Sequence, residues 1–303
     1  MPFLYRIRET QAERFVEIEG FESQTEYLTI PARIEGLPVR RVASHAFEGR
    51  GDLVEISVPD TVREFGTFAF HNLRSLRKIQ LYDSVQDYAH GVLRHCAHLE
   101  EITLYSGGED FSLLKQILEA CEEAVSVLLC LPDGQARLAF PDYALIASEN
   151  TMARTIQFAY EGGGYAYRQC VRKRGIRYRE YDGLFSFMEH DDPDYAAEIA
   201  IDRLMYPRDL DERSEQTYRR FLTEHAREAL SRFAAARQEA RILWMMEQRL
   251  AAADPGAVDE ALRIASSLGA SAICAVLMDG AGAAGLSGEG GLTEAGGLSL
   301  EDW

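Results

Sequence analysis

Positive charge is in short supply in this sequence. Its 303 residues include 32 Lys and Arg against 49 Asp and Glu, which gives a formal net charge of −17 at pH 7. A chain of this charge repels phosphate backbones and anionic lipid at long range. We therefore expect neither a nucleic acid nor a membrane surface as its general partner. Only a local basic patch could still bind such an anionic surface.

Long apolar runs are also missing. No stretch of about 20 consecutive apolar residues is available to span a bilayer. The N-terminus reaches charge at Arg6, too early for a signal peptide. With 47% hydrophobic, 10% aromatic and 27% charged residues, the composition is that of an ordinary water-soluble protein. We expect a globular protein of the cytoplasm.

Cysteine is scarce, and its pattern excludes two kinds of site. The cysteines are odd in number and form no C-x-x-C pair, as expected of reduced thiols rather than of a disulfide framework or a zinc site: Cys96, Cys121, Cys130, Cys170 and Cys274. The sequence His95-Cys-Ala-His98 invites a metal interpretation, but no second Cys or His cluster completes four ligands. We predict that Cys96 is buried between solvent-facing histidines, and that the protein holds no metal and no cofactor.

Familiar catalytic motifs are absent as well. The chain has no Gly-x-Ser-x-Gly, no His-Glu-x-x-His, and no kinase or P-loop set. Glu161-Gly-Gly-Gly164 lacks the Lys-Ser/Thr of a P-loop, so we interpret it as the turn of a β-hairpin. We predict no catalytic residues and no enzymatic activity. An enzyme with a site between the two halves of the chain remains the third hypothesis, because catalytic residues can assemble from distant positions.

What the sequence does contain is a repeat in its first third. A step of 23 residues links three sets of apolar positions: Leu53, Leu76 and Leu99; Ile56, Ile79 and Ile102; Phe47, Phe70 and Leu93. A fixed period of this length indicates stacked units, each adding one short strand and one returning segment to a shared core. The repeat therefore predicts a short β-solenoid.

Particular phrases of this repeat resemble the BspA-like leucine-rich repeats of bacteria: Ile30-Pro31, Val58-Pro59, Ile34-Glu-Gly-Leu-Pro-Val39, Ala46-Phe47 and Ala69-Phe70. The resemblance covers roughly residues 1–105. It implies an N-terminal β cap over residues 1–26 and a leucine-rich repeat domain over residues 27–110. The third unit departs from the pattern, with Tyr82 in place of Pro, so we expect the ladder of repeats to end there.

The remainder of the chain predicts a mixed segment and then helices. Over residues 111–180 we expect one amphipathic helix from Ser112 to Glu123, a hairpin around Pro132-Asp-Gly134 and a second hairpin around the glycine turn. Residues 181–279 predict an α-helical domain, in which Glu228-Ala-Leu230 and Glu260-Ala-Leu262 recur 32 residues apart. This spacing is similar to that of degenerate ankyrin-type helix pairs.

The last segment, residues 280–303, is rich in glycine and has no basic residue, which predicts a disordered acidic tail. The fold class expected for the whole chain is α+β. It consists of a short β-solenoid of leucine-rich repeats, a mixed β-hairpin segment and an α-helical repeat-like domain.

The solenoid supplies the first functional hypothesis. Where alternate strand residues face the core, their neighbours must face outward and form one sheet surface. The outward set is Tyr27, Thr29, Glu55, Ser57, Lys78, Gln80, Tyr82, Glu101, Thr103 and Tyr105. Exposed tyrosines beside mixed polar groups are typical of recognition surfaces, although each residue is also compatible with a merely solvated strand. We predict a non-enzymatic scaffold that binds a protein or peptide through this face.

A basic run supplies the alternative. Residues 168–179 contain six basic residues and no acidic one, and tyrosines lie among and beside them. The basic residues are Arg168, Arg172, Lys173, Arg174, Arg177 and Arg179. Arginine beside aromatic side chains is the chemistry of single-stranded nucleic-acid grooves. The competing interpretation is a solvated turn or a seam that pairs with acidic residues, and the net charge of the chain favours it.

Overall fold

The computed structural model describes residues 2–150 and 155–283. The chain divides into two compact units, Met1–Phe221 and Leu222–Trp303. The first unit contains a β-solenoid followed by mixed sheets and helices, and the second is helical. The α+β fold class and the solenoid predicted from the repeat are confirmed.

The solenoid begins with an antiparallel hairpin and continues with parallel strands. The strands up to residue 105 are β1 Phe3–Glu9, β2 Arg14–Phe21, β3 Tyr27–Thr29, β4 Arg33–Ile34, β5 Leu37–Val42, β6 Glu55–Ser57, β7 Glu64–Phe65, β8 Lys78–Tyr82, β9 Asp87–Tyr88 and β10 Glu101–Tyr105. One sheet has the order β1-β2-β5-β7-β9, and the other includes β3, β6, β8 and β10 as parallel neighbours. The repeats that begin with β3, β6 and β8 therefore each give a further strand, β5, β7 and β9, to the other sheet.

The 23-residue step is the register of the sheet that contains β6, β8 and β10. Ile56 pairs with Ile79, and Ile79 with Ile102, and all three side chains are buried. In the turn segments that follow β5 and β7, the rings of Phe47 and Phe70 stack with centroids 5.4 Å apart. Burial of such aligned apolar side chains is what a single unit could not achieve alone.

The predicted environment of the cysteine in the third unit is confirmed. Cys96 is buried, and its thiol donates to the carbonyl oxygen of Phe70 at 3.2 Å. His95 and His98 on either side of it are exposed. The thiol is therefore part of the apolar core.

The ladder of strands does not end at the third unit, which corrects the prediction. The next elements are α1 Ser112–Ala120, β11 Val125–Leu131 and β12 Gly134–Phe140. Strand β11 pairs in parallel with β10, with Ile102 opposite Val127, and β12 then pairs antiparallel with β11. The predicted hairpin exists, but it extends the solenoid sheet. The helix α1 replaces the usual returning segment and lengthens the step to 25 residues, so the 23-residue pattern does not reveal it.

The glycine run is not the turn of a hairpin. The hairpin formed by β13 Ala144–Asn150 and β14 Thr155–Glu161 precedes it. The elements that begin at its last glycine are α2 Gly164–Arg168, β15 Val171–Arg172, β16 Gly175–Ile176, α3 Tyr178–Gly183 and α4 Phe185–Asp191. A Cβ atom on Gly164 would lie only 2.1 Å from the carbonyl oxygen of Pro141. The glycine is needed because the start of α2 presses against the backbone of residues 141 and 142.

Two longer helices follow, α5 Pro193–Met205 and α6 Glu212–Glu224, and the first unit ends within the last turn of α6. Helix α5 begins at a side-chain cap: Asp192 accepts a hydrogen bond from the backbone N–H of Tyr195 at 3.0 Å, and Pro193 is the first helical residue. Contacts of α5 with β12 attach this helix to the end of the solenoid sheet.

The described part of the second unit contains two helical hairpins related by 32 residues. Its helices are α7 Ala226–Ala235, α8 Glu239–Glu247, α9 Pro255–Ser267 and α10 Ser271–Ala283. Helix α7 packs on α9 and α8 on α10. Arg237 and Gly269, equivalent residues after the first helix of each hairpin, both have a left-handed backbone, with φ of 56° and 64°. Gly280 and Gly282 belong to α10, which corrects the predicted start of the tail, and residues 284–303 lie outside the described residues.

Residues 2–150 and 155–283 contain neither a membrane-spanning helix nor a cluster of metal ligands. No helix there has both the length and the apolar character needed to cross a bilayer. No group of three or more His, Cys, Asp or Glu side chains within these ranges is arranged to hold a metal ion.

Candidate partner-binding face

All ten residues of the predicted outward set lie on one side of the sheet that contains β3, β6, β8 and β10, opposite the buried isoleucines and leucines. We call this surface the solenoid face. The strand registers arrange its residues in rows that run across the strands. Tyr27, on the edge strand β3, is 64% exposed, whereas Tyr82 and Tyr105 are half-buried. The face is therefore most open at β3 and more enclosed towards β10.

The first row carries charge. Glu55, Lys78 and Glu101 are neighbours on β6, β8 and β10. Lys78 Nζ lies 4.0 Å from Glu101 Oε1, and the guanidinium of Arg137 on β12 bonds the other oxygen of Glu101. Glu101 is thus shared by two cations, and the ion pairs found in the described part of the chain do not include Glu55.

The second row is a chain of neutral hydrogen bonds. Ser57 Oγ donates to Gln80 Oε1 at 3.1 Å, and Gln80 Nε2 donates to the hydroxyl oxygen of Tyr105 at 2.8 Å. Three strands are joined in this way, and the amide of Gln80 is held in one orientation. Because Tyr105 accepts from Gln80, its own hydroxyl proton can point towards a ligand.

The third row is aromatic. The rings of Tyr82 and Tyr105 stack with centroids 4.8 Å apart and an interplanar angle of 18°. Burial, followed by the proximity of Tyr105 and Asp60, raises the pKa of the Tyr82 hydroxyl above its usual value. This hydroxyl is therefore neutral and able to donate a hydrogen bond throughout the physiological pH range.

Sequence reasoning missed the part of the solenoid face that β11 and β12 contribute. Leu128 and Cys130 lie beside Thr103 and Tyr105 in register, and both are half-buried. The signal was present, because buried Val125, Val127 and Leu129 alternate with these residues, but the whole segment resembles one apolar run.

Helix α5 limits the face at its far edge. The Tyr195 hydroxyl donates to the carbonyl oxygen of Phe140 at 3.0 Å. Arg137 Nε lies 3.5 Å from Asp202 Oδ2, and Asp202 is fully buried on α5. Helix α5 therefore covers part of β12, and the accessible part of the solenoid face extends from β3 to β11.

The basic run is divided between the core and the surface, which corrects the expectation that it forms one patch. Arg168 is buried at 3% exposure. Its guanidinium donates to the backbone carbonyl oxygens of Leu118, Cys121, Glu123, Pro141 and Gly164. A side chain with this set of partners connects α1, the end of β12 and α2, and its burial keeps it from a phosphate in solution. Arg168 is therefore structural.

The other five cations of the run are exposed. Lys173 and Arg174 form the tip of the short hairpin β15–β16, next to Arg172. Arg177 pairs with Glu180 at 2.8 Å. A cleft of about 660 Å³ lies beside them and is lined by Ile176, Arg177, Tyr178, Arg179, Glu180, Asp209, Leu210 and Asp211. The two cations of the cleft, Arg177 and Arg179, thus share it with three carboxylates.

Comparison with known proteins agrees with the repeat. The model of the BspA type leucine-rich repeat region matches residues 22–123 in six copies. This part of the chain is a BspA-type leucine-rich repeat region. The match begins after the β1–β2 hairpin and extends beyond the expected end near residue 105. The helical part of the chain is not matched, so its resemblance to ankyrin-type helix pairs stays a prediction.

Solved structures of leucine-rich repeat proteins are similar to part of the chain. A protein of Bacteroides ovatus ATCC 8483 is 25% identical over 36% of this chain and 31% of its own, with a TM-score of 0.30. A protein of Bacteroides capillosus ATCC 29799 is 22% identical over 34% and 82%, with a TM-score of 0.27.

A leucine rich cell surface protein of Faecalibacterium prausnitzii A2-165 is 16% identical over 34% of this chain and 43% of its own, with a TM-score of 0.24. The chain thus covers less than half of the length of the Bacteroides ovatus and Faecalibacterium proteins. No curated protein matches the sequence.

Proposed function

We propose that the protein is a non-enzymatic scaffold that binds a protein or peptide through the solenoid face. Leucine-rich repeat proteins generally mediate protein–protein interactions, and the family match supports this class of function. A location in the cytoplasm remains part of the proposal, on the grounds of composition and cysteine number given above.

The observation that carries the proposal is the fixed geometry of the second and third rows. The hydrogen bonds from Ser57 through Gln80 to Tyr105, and the stacking of Tyr105 on Tyr82, hold these side chains before any ligand arrives. Side chains that are ordered in advance lose little conformational entropy on binding. Tyrosine also combines a large apolar ring with a polar hydroxyl, which is why it is common among residues that dominate interface energetics.

The experiment is a comparison of captured partners. Tyr82→Arg/Tyr105→Arg places two bulky cations on the solenoid face, whereas Phe187→Arg/Met278→Arg places the same charge at two residues that are 56% and 61% exposed elsewhere. We expect a specific protein that binds the wild type and the control variant to be lost from the face variant. Equal binding to all three proteins would overturn the proposal, provided that circular dichroism shows each of them folded.

Chemical labelling adds a direct readout at the same surface. Cys130 lies beside Tyr105 in register and is half-buried. A partner that covers the face should slow alkylation of Cys130 in the complex. Cys274, half-buried in the second unit, is the internal control that should keep its rate. If Cys130 is alkylated at the same rate with and without bound partner, the partner binds outside the solenoid face.

A second candidate function is nucleic-acid binding through the hairpin tip. Arg172, Lys173 and Arg174 are exposed, and the ion pairs found among the described residues do not include them. Replacement of all three by Ala should abolish any salt-sensitive binding of single-stranded oligonucleotides, because each phosphate contact releases counterions. Absence of such binding in the wild type would remove this candidate.

A further inference from the structure

We propose that the cleft beside the basic run binds a small zwitterion of the amino-acid class: Arg179 and the Tyr178 hydroxyl bind its carboxylate, and Asp209 binds its ammonium group. The cleft is lined by residues outside the solenoid face, so this inference goes beyond the proposed function and does not depend on it. Three features carry it: an unpartnered hydroxyl on a buried tyrosine, one free charge of each sign, and a backbone that is held in place before a ligand arrives.

The first feature is the hydroxyl group of Tyr178, a residue that lines the cleft and is only 6% exposed. This hydroxyl has no hydrogen-bond partner among the described residues, and the side-chain atoms of that part of the chain that are both buried and unpartnered do not include it. The oxygen is therefore open to the cleft. Burial raises the pKa of Tyr178 to about 12, so the hydroxyl keeps its proton and can donate it to a carboxylate.

Three of the charged groups that line the cleft already have partners. Arg177 Nη1 donates to the two oxygens of Glu180, at 2.8 and 3.1 Å. The carboxylate of Asp211 accepts from the backbone N–H of Ser214 at 2.9 Å and from its hydroxyl at 3.2 Å. These groups shape the cleft, and their hydrogen bonds do not require a ligand.

The second feature is the pair of charges that remain, Arg179 and Asp209. Two segments line the cleft, residues 176–180 and 209–211, and each contributes one of these exposed side chains. Neither side chain is hydrogen-bonded or ion-paired within the described residues, and they do not pair with each other. A ligand with both a carboxylate and an ammonium group complements them, whereas a ligand with a single charge leaves one of them unmatched.

The third feature is that Arg203 connects the two segments. Its guanidinium lies over the ring of Tyr178, 5.0 Å from the centroid, and its Nη2 donates to the carbonyl oxygen of Arg208, next to Asp209, at 2.9 Å. The guanidinium of Arg208 in turn donates to both oxygens of Asp133, at 2.8 and 2.7 Å. A site that is ordered in advance loses little conformational entropy on binding. The cleft volume of about 660 Å³ is also within the range of small-ligand sites.

The test measures ligand binding to the full chain by isothermal titration calorimetry. The probes are the common free amino acids and the dipeptide alanyl-alanine. Each is compared with its N-acetylated form, which lacks the ammonium group, and with its amide, which lacks the carboxylate. At least one unmodified probe should bind, and both of its modified forms should bind at least about tenfold more weakly, because each loses a charged hydrogen bond.

Variants then assign the two charges. Arg179→Gln and Asp209→Asn should each weaken binding of that probe roughly tenfold or more, because each removes the charged partner of one end of the ligand. The matched controls are Arg174→Gln and Asp87→Asn, which remove the same charges from exposed residues that do not line the cleft. Both controls should leave the affinity unchanged.

Tyr178→Phe separates binding from a structural role. Because the hydroxyl has no partner in the described chain, its removal should leave the urea midpoint of the free protein unchanged and still weaken binding several-fold. A lower midpoint with unchanged affinity would show that the hydroxyl serves the fold, and would overturn its assignment to the ligand.

Three further results would overturn the inference. One is that no probe binds, and another is that a modified form binds as tightly as the free zwitterion. The third is equal weakening by the cleft variants and their controls, which would reduce the effect to the overall charge of the chain. None of these results bears on the solenoid face, whose test uses Tyr82 and Tyr105.

Discussion

Arg203 and Asp182 form a two-point ion pair from which water is excluded. Arg203 Nε donates to Asp182 Oδ1 at 2.7 Å and Nη2 donates to Oδ2 at 3.0 Å, with side-chain exposures of 0% and 1%. The Tyr218 hydroxyl donates to the same Oδ1 at 2.8 Å, and the guanidinium lies over the ring of Tyr178. The pair connects α3 to α5 and α6, so these helices are held together by charge as well as by apolar contact.

The first prediction concerns this ion pair. Asp182→Asn should lower the free energy of unfolding by about 3–5 kcal/mol, because it leaves the buried guanidinium of Arg203 without a countercharge. Tyr218→Phe removes one hydrogen bond to a charged group and should cost about 1.5–3 kcal/mol. Urea denaturation followed by circular dichroism measures both. A loss for Asp182→Asn no greater than that for Tyr218→Phe would show that the charge of Asp182 is not what stabilises the helices.

The second prediction concerns thiol reactivity. Burial raises the pKa of Cys96 to about 11, of Cys121 to about 12 and of Cys170 to about 11. A thiol reagent at pH 8 should therefore modify only Cys130 and Cys274 in the folded protein, since the thiolate is the reactive species. Mass spectrometry of the labelled native chain identifies the sites, and denatured protein should react at all five cysteines. Rapid native labelling of Cys121 would contradict the burial on which this expectation depends.

The third prediction separates the two roles within the basic run. Arg168→Met should destabilise the first unit by roughly 3–5 kcal/mol, because five carbonyl oxygens lose a buried charged donor. Arg172→Ala and Arg174→Ala, at exposed residues of the same run, should change stability by no more than about 0.5 kcal/mol. Equal effects in urea denaturation would mean that Arg168 is not the structural connection described above.

These examples show what the sequence could and could not predict. Ile56, Ile79 and Ile102 repeat at a constant step, so the solenoid and its outward residues follow from periodicity. Strand β11 was missed as part of the solenoid sheet because α1 changes that step. Arg168 was misassigned because the run groups it with the exposed cations that begin at Arg172, and its burial depends on carbonyl groups more than 20 residues away, which no local pattern reports.

Predictability also differs among the residues of the solenoid face. Alternation was sufficient to place Tyr82 and Tyr105 on one side of the sheet. It could not show that their rings stack or that Gln80 links Ser57 to Tyr105, because those contacts depend on side-chain rotamers across neighbouring strands. The position of a candidate site was thus readable from sequence, and its internal geometry was not.

The last prediction is a pH dependence at the turns of the solenoid. The carboxylate of Glu48 accepts hydrogen bonds from Nδ1 of His45 at 2.5 Å and from Nδ1 of His71, in the next unit, at 2.9 Å. The bond from His45, followed by that from His71, lowers the pKa of Glu48 below its usual value. A carboxyl group with a lowered folded-state pKa contributes stability that is fully present above its unfolded-state pKa and is lost as the pH falls through the folded-state value.

The measurement is the urea midpoint between pH 6 and pH 3. The wild type and Glu48→Gln should differ most at pH 6, and their midpoints should converge as the pH falls below about 4, where the carboxyl group is protonated first in the unfolded chain and then, at its lower pKa, in the folded protein. Glu22→Gln, which changes an exposed glutamate near the N-terminal β cap, is the control. Its urea midpoint should change with pH in the same way as that of the wild type. All other carboxyl groups titrate equally in the three proteins, so the difference between the curves isolates Glu48. A constant offset of Glu48→Gln across this range would mean that the bridge between the two histidines does not depend on the charge of Glu48.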